Sequence, residues 1–213
     1  MNESPDPDAR LRPPLEALAA RDGDIARALA ACGLPPRREM PGGFAGLVRA
    51  IVAQQVSAQA ARAIMARLHA GLPDLTPEAI LGLDIESARA LGLSRPKLAY
   101  LQGLAAAVAD GALDLDALAQ APDDSVLARL TAFKGVGRWT AESYLLFALE
   151  RPDVFPAQDL ALQEAARRLK GLPTRPDTAR LRDLAEAWRP WRSAAARFLW
   201  HIYRHPGVPT PEG

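Results

Sequence analysis

The segment LTAFKGVGRWTAESYLLFAL, residues 130–149, places Gly135-Val136-Gly137 between two apolar runs. Both runs have helical spacing and the glycines interrupt them, so the segment predicts a helix, a tight turn and a second helix. Glycine permits backbone conformations that other residues disfavour. The N–H groups of such a turn converge at the positive end of the second helix, which suits a phosphate. A Gly-x-Gly turn between helices is also a common plain connection, and both interpretations are open on these residues alone.

Two other glycine-rich phosphate loops are excluded by the neighbouring residues. No Gly-Lys-Ser/Thr follows the turn, as a Walker A loop requires, and no strand pattern precedes it, as a dinucleotide-binding fingerprint requires. Arg138 adds a positive charge and Thr140 adds a hydroxyl just after the glycines.

The rest of the chain predicts an all-α protein. Alanine and leucine are abundant, aromatic residues make up only 6% of the 213 residues, and no strand pattern or fixed-period repeat appears. We predict about ten helices in two lobes, one roughly 44–150 and the other roughly 13–43 plus 151–205. A disordered N-terminal lead is expected at 1–12 and a tail at 206–213.

Charge and cysteine content narrow the class of protein. Residues 1–130 hold 13 Lys/Arg and 16 Asp/Glu, a net −3, whereas residues 131–213 hold 13 and 9, a net +4. The basic excess mildly favours a polyanion-binding face in the C-terminal part. The single cysteine, Cys32, excludes an internal disulfide and a four-cysteine iron–sulfur or zinc site. The N-terminus lacks a signal-peptide pattern, so we expect a cytoplasmic protein, nucleoid-associated if the source is bacterial.

Three segments in order resemble the helix–hairpin–helix DNA glycosylases of base excision repair. Residues 135–169, GVGRWTAESYLLFALERPDVFPAQDLALQEAARRL, match the hairpin and the Gly/Pro…Asp signature of that superfamily. Residues 47–61, LVRAIVAQQVSAQAA, are similar to its early helix and loop. Residues 188–200, WRPWRSAAARFLW, look like the C-terminal helix of the alkylbase branch, the DNA-3-methyladenine glycosylase II group.

The resemblance implies a fold, a reaction and a partner. The fold would have its active site in the cleft between the two lobes. The reaction would be hydrolysis of the N-glycosidic bond of alkylated purines, such as 3-methyladenine and 7-methylguanine, flipped out of double-stranded DNA. The protein would be a monomer, would not bind membranes and would need no cofactor.

Asp159 opens an amphipathic helix shortly after Pro156, where an aspartate is most simply an N-cap. The resemblance implies that it is also the catalytic carboxylate. Cleavage of the bond from C1′ to the base nitrogen builds positive charge on the deoxyribose, and a fixed carboxylate stabilises that charge.

Trp139 is most simply core filler, but the resemblance places it where bifunctional relatives carry a lysine. That lysine forms a Schiff base and leads to strand cleavage, which an indole cannot do. Lys134 does not align with it. A monofunctional enzyme is therefore expected, with Trp139 as an aromatic wall for a cationic base and either Ser143 or Tyr144 beside it in the base pocket.

The resemblance also assigns residues that hold DNA. Gln55, alternatively a plain surface residue at a helix joint, would wedge into the stack that the flipped base vacates. The glycine N–H groups at 135 and 137, with Arg138 and Thr140, would bind a phosphate. The carbonyls of Thr131, Phe133 and Val136 could hold a Na⁺ or K⁺ ion beside it.

Two other functions stay open on the sequence. One is a non-catalytic DNA-binding module that uses the hairpin only to grip phosphate. The other is a bifunctional or mismatch/oxidised-base glycosylase, which the absent lysine and the absence of a cysteine cluster disfavour.

Overall fold

The computed structural model describes residues 7–205, and the elements in this range are helices joined by turns and loops. Within that range the only strand-like pairing is a single bridge between Pro7 and Pro36, which confirms the all-α prediction. A 3₁₀ turn at Ala9–Leu11 precedes the α-helices, which in chain order are α1 (Arg12–Ala19), α2 (Gly23–Cys32), α3 (Gly43–Val52), α4 (Ala58–Gly71), α5 (Pro77–Leu81), α6 (Ile85–Ala90), α7 (Arg95–Ala109), α8 (Leu115–Gln120), α9 (Asp123–Thr131), α10 (Arg138–Phe147), α11 (Leu160–Leu169), α12 (Thr178–Glu186) and α13 (Arg192–Arg204).

The chain divides into two compact units, one formed by 40–150 and the other by the segments on both sides of it. Residues 40–43, which we predicted at the end of the discontinuous lobe, belong to the continuous unit. Their position follows from packing, because the Pro41 carbonyl lies directly against Gly46 of α3.

The discontinuous unit contains α1, α2, α11, α12 and α13. Its core is formed where α11 packs on α13 and where α1 packs on α2 and α13. Leu15, Leu162 and Phe198 are fully buried there. The apolar side of α11 thus faces the core, as its spacing predicts.

The segment 7–12 is ordered, which corrects the predicted disordered lead at 1–12. Asp8 is 1% exposed and accepts a hydrogen bond from Arg197 Nη2 at 2.7 Å, and its own N–H donates to the Pro35 carbonyl at 2.8 Å. The ion pair joins residues far apart in the chain, so composition alone could not show it. The remaining part of that lead, 1–6, and the predicted tail 206–213 lie outside the described residues.

The continuous unit is built around α3. This helix is apolar on nearly its whole circumference, and it packs against α4, α7, α8 and α10. Val48, Ile51 and Leu101 are fully buried in this core. Burying each large apolar side chain stabilises the folded state by about 1.5–3 kcal/mol. The central position of α3 follows, because it buries the most apolar side chains there.

The sequence predicts Ser57 and Ser94 as helix N-caps and Gly111 as a helix stop, and the structure places each of them at such a boundary. Ser57 Oγ accepts the Ala60 N–H at 3.1 Å and begins α4, so QQVS does lie at the joint of two helices. Ser94 begins α7 in the same way, and Gly111, with φ +77°, follows its end. Within the part of the chain that the structure describes, no helix combines the length and the apolar character needed to cross a bilayer.

Candidate active site

The turn between α9 and α10 is a closed helix–hairpin–helix. The Phe133 N–H donates to the Leu130 carbonyl at 3.1 Å, and the Val136 N–H donates to the Phe133 carbonyl at 3.0 Å. These two bonds tighten the turn so that Gly137 becomes the N-cap of α10. Gly137 has no side chain to cap the helix, so the first N–H groups of α10 have no side-chain acceptor from the cap residue.

The structure itself explains Gly135. Its φ is +87°, in the left-handed region that favours glycine, and a Cβ there would lie 2.2 Å from ring carbons of Tyr100. The hairpin therefore rests on the Tyr100 ring from α7, and any side chain at 135 would displace it. No sequence pattern links Tyr100 to the hairpin, because it contacts the turn from a separate helix.

Gly137 has a different environment. Its φ is −80°, which every residue adopts, and a Cβ there would have no heavy atom within 4 Å. The fold of this unit thus tolerates a side chain at 137. Its absence leaves open space beside the N-terminal end of α10, where the helix dipole attracts an anion.

Two side chains after the glycines are already engaged inside the unit. Arg138 Nε donates to Glu142 Oε1 at 2.8 Å, with the arginine half exposed. Thr140 is 3% exposed, and its Oγ1 accepts a hydrogen bond from Gln54 Nε2 at 2.8 Å. The structure therefore positions the Thr140 hydroxyl to hold the hairpin from within, whereas we expected it to face a bound phosphate.

The carbonyls expected to hold a monovalent cation all belong to this turn or its edge. The Phe133 carbonyl accepts the Val136 N–H and keeps a second lone pair, while Thr131 turns its hydroxyl back to the Leu127 carbonyl at 2.7 Å. Oxygen donors of this kind fit Na⁺ or K⁺. Among the described residues, no group of three or more His, Cys, Asp and Glu side chains is arranged to hold a metal ion.

The three residues expected in the base pocket differ in their exposure to solvent along α10. Trp139 is partly exposed in the first turn. Tyr144 is 1% exposed and packs where Gly46 of α3 leaves room for its ring, and burial raises the pKa of its hydroxyl. Tyr144 is thus a core residue, which corrects its assignment to the pocket. Ser143 is 6% exposed, and its Oγ has no hydrogen-bond partner among the described residues.

Gln55 lies exposed at the joint between α3 and α4 with φ +55°. A left-handed conformation is uncommon for a residue with a side chain and is often found at functional sites. Val56 beside it is also exposed. The joint therefore presents two exposed side chains, and exposure is what a wedge residue requires.

Asp159 is the N-cap of α11 in the other unit, as its position predicted. Its Oδ1 accepts the Ala161 N–H at 2.9 Å and the Leu162 N–H at 3.0 Å. These charge-assisted bonds fix the carboxylate at the positive end of the helix. Asp159 is partly exposed, so the fixed carboxylate is not enclosed within its own unit.

The connection that leads to Asp159 is held by two buried side chains. Ser193 Oγ accepts the Val154 N–H at 2.9 Å and donates to the Val154 carbonyl at 3.1 Å. Gln163 Nε2 donates to the Ala157 carbonyl at 3.0 Å. The backbone before Asp159 is therefore fixed on both sides, which sequence reasoning did not anticipate.

A surface cavity of about 340 Å³ lies beside the hairpin. It is lined by Pro96, Ala99, Tyr100, Gly103, Leu104, Phe133 and Lys134. Neither Trp139 nor Ser143 lines it, so this cavity is not the expected base pocket.

The family follows from comparison with known proteins. The sequence model of one protein family, the HhH-GPD superfamily base excision DNA repair proteins, matches residues 48–190. This range contains both the hairpin and Asp159. The chain belongs to this superfamily.

Individual relatives agree with that assignment. DNA-3-methyladenine glycosylase 1 of Schizosaccharomyces pombe is 38% identical over 160 residues, which are 72% of this chain and 69% of that protein. The solved structure of the S. pombe 3-methyladenine DNA glycosylase in complex with abasic DNA has a TM-score of 0.82 at 34% identity, covering 88% of this chain and 94% of that one. A DNA-3-methyladenine glycosidase from Bacillus halodurans has a TM-score of 0.74 at 31% identity, with 90% and 89% covered.

Proposed function

We propose that the protein is a monofunctional DNA glycosylase that removes alkylated purines of the 3-methyladenine and 7-methylguanine type from double-stranded DNA. The main support is the superfamily match over the hairpin and Asp159, together with relatives named as 3-methyladenine glycosylases. We propose also that it acts as a monomer.

The proposed reaction depends on Asp159. As the bond between C1′ and the base nitrogen lengthens, positive charge develops on the deoxyribose, and a carboxylate beside C1′ lowers the energy of that transition state. Two backbone N–H groups hold Asp159 Oδ1 in place before substrate arrives, so little reorganisation is needed during the reaction. The base leaves with the electron pair of that bond, and water adds to C1′ and releases a proton, so that an abasic site remains.

The proposed substrate preference depends on Trp139 and Ser143. An alkylated purine carries a positive charge, which the face of an indole attracts by about 0.5–2 kcal/mol. The Ser143 hydroxyl is buried without a partner among the described residues, and it would gain one by hydrogen-bonding the base. Because these purines have a weakened glycosidic bond, the reaction needs little acid catalysis.

The proposed contacts with DNA come from the hairpin, which binds a phosphate, and from the α3–α4 joint, which carries the wedge. The N–H groups at Gly135 and Gly137 and in the first turn of α10 hold a phosphate, and Arg138 contributes charge. A Na⁺ or K⁺ ion on the carbonyls of Thr131, Phe133 and Val136 would add positive charge there. Gln55 fills the gap left by the flipped nucleotide.

One assay tests the function and separates it from its alternatives. The protein is incubated with methylated duplex DNA and with duplex DNA that contains an oxidised base, and free base and strand breaks are measured with and without alkali. We expect release of methylpurine, with breaks only after alkali. Breaks without alkali would indicate a bifunctional enzyme, and binding without release from any lesion would indicate a non-catalytic DNA-binding module.

A further inference from the structure

The side chain of Gln54 joins the α3–α4 joint to the hairpin within the continuous unit. Its Nε2 donates to the Gly135 carbonyl at 2.8 Å and to Thr140 Oγ1 at 2.8 Å. The carbonyl can only accept, so the orientation of the Gln54 amide is settled by chemistry. One amide group thus holds the turn and the first helical turn of α10 together.

The backbone of Gln54 is held from a third element. Lys97 Nζ, on α7, donates to the Val52 carbonyl at 2.7 Å and to the Gln54 carbonyl at 2.9 Å. A cation at the C-terminal end of α3 also matches the negative end of that helix dipole. The carbonyl that Lys97 holds belongs to the peptide bond that leads into Gln55.

These contacts explain how Gln55 keeps its conformation. A left-handed backbone costs of order 1 kcal/mol for a residue with a side chain, so it persists only where its neighbours hold it. Gln54 and Lys97 supply that support at the residue just before it. The Gly135 carbonyl is fixed by the same amide, and the Val136 N–H of that peptide is fixed by Phe133.

We infer that Gln54 is a positioning residue that sets the distance between the wedge at Gln55 and the phosphate grip of the hairpin, with Lys97 as its support. DNA that contacts both elements would then be bent at a fixed distance from the phosphate that the hairpin binds. The inference rests on the proposed function, because that function assigns the two elements to DNA.

The test uses Gln54→Met, which keeps the length of the side chain and removes its hydrogen bonds. The matched control is Gln102→Met, because Gln102 Nε2 also donates to a backbone carbonyl, that of Leu83 at 3.0 Å, away from the hairpin. Affinity for a duplex with a tetrahydrofuran abasic analogue is measured by fluorescence anisotropy. A 2-aminopurine opposite the analogue reports how far that base is unstacked at saturating protein.

We expect Gln54→Met to weaken binding about tenfold, the equivalent of one or two neutral hydrogen bonds. It should also reduce the 2-aminopurine signal at saturation. Gln55→Ala should cost less affinity in the Gln54→Met background than in the wild type, because the wedge is then already misplaced. Gln102→Met should bind and unstack like the wild type.

Lys97→Met provides a second variant that leaves the hairpin contacts in place. It should lower the 2-aminopurine signal at saturation, which lost stability alone would not do. Wild-type signal in both variants, or additive effects of Gln54→Met and Gln55→Ala, would overturn the inference. Failure of the wild type to bind the abasic duplex would instead contradict the proposed function together with the inference.

Discussion

Two glycines in one turn are present for different physical reasons. Gly135 is required by the fold, because its φ is positive and the Tyr100 ring occupies the place of a side chain. Gly137 has an ordinary φ and open space around it. Because the fold leaves space for a side chain at 137, we infer that glycine is needed there for ligand binding.

Gly137→Ala should therefore separate binding from stability. We expect a small loss of stability, because alanine is a poorer N-cap than glycine. Affinity for an abasic duplex should fall roughly tenfold, because the methyl group would stand between the phosphate and the N–H groups of α10. Gly103→Ala is the control, since a Cβ at 103 also has nothing within 4 Å. Equal affinities for the two variants would contradict the role given to Gly137.

Asp159→Asn should separate the two roles of this carboxylate. Asparagine caps a helix nearly as well as aspartate, so the fold should persist, while loss of the charge should slow excision of methylpurine by about 100-fold or more. Single-turnover assays on methylated duplex give the rate, and binding of an abasic duplex should stay nearly intact. Asp177→Asn, at the N-cap of α12, is the matched control and should keep the full rate.

At the scale of the element, the connection before α11 depends on one buried hydroxyl. Ser193→Ala leaves both the N–H and the carbonyl of Val154 without the hydroxyl that pairs with them. We expect the free energy of unfolding to fall by about 1–3 kcal/mol and excision to slow, since Asp159 follows that connection. Urea unfolding measures the first effect. Ser125→Ala, at an exposed position of α9, should change neither stability nor rate.

The elements predicted best from the sequence are those whose signal is local. The N-caps Ser57, Ser94 and Asp159 bond to N–H groups two or three residues away, so their type and position were sufficient to locate three helix starts.

The contacts that position the site were not predictable in this way. Gln54 and Gly135 are 81 residues apart, and Ser193 and Val154 are 39 apart. Neither pair leaves a pattern in the sequence. Within one helix, the sequence did not show whether Ser143 or Tyr144 faces the pocket. A single step along α10 turns a side chain by about 100°, and this places Tyr144 in the core.

At the scale of the whole molecule, stability at acid pH should depend on Asp22. Burial alone would raise its pKa, but hydrogen bonds from Lys170 and Trp188 outweigh burial and hold the pKa below the ordinary 3.8. Because the folded pKa is below the unfolded one, the stabilisation is complete above about pH 4 and is lost as pH falls through the folded value.

Urea unfolding of the wild type and of Asp22→Asn between pH 6 and pH 3 tests this. The variant should be less stable at pH 6, because Lys170 then loses the carboxylate that meets it at 2.7 Å. The gap between the two proteins should narrow as pH falls. A gap that is constant over this range would show that Asp22 does not carry the acid sensitivity.

The packing around Gly46 indicates the order in which the two units can fold during translation. A Cβ there would lie 2.3 Å from the Pro41 carbonyl and 3.2 Å from Ala148 Cβ, so residues near the two ends of the continuous unit meet at this glycine. That unit is complete once residue 150 has left the ribosome. Residues 7–39 are synthesised earlier, yet α11 and α13, against which they pack, come last. Residues 7–39 therefore lack their packing partners until the end of translation. In a nascent chain halted near residue 150, we expect 40–150 to resist protease while 7–39 is still cut.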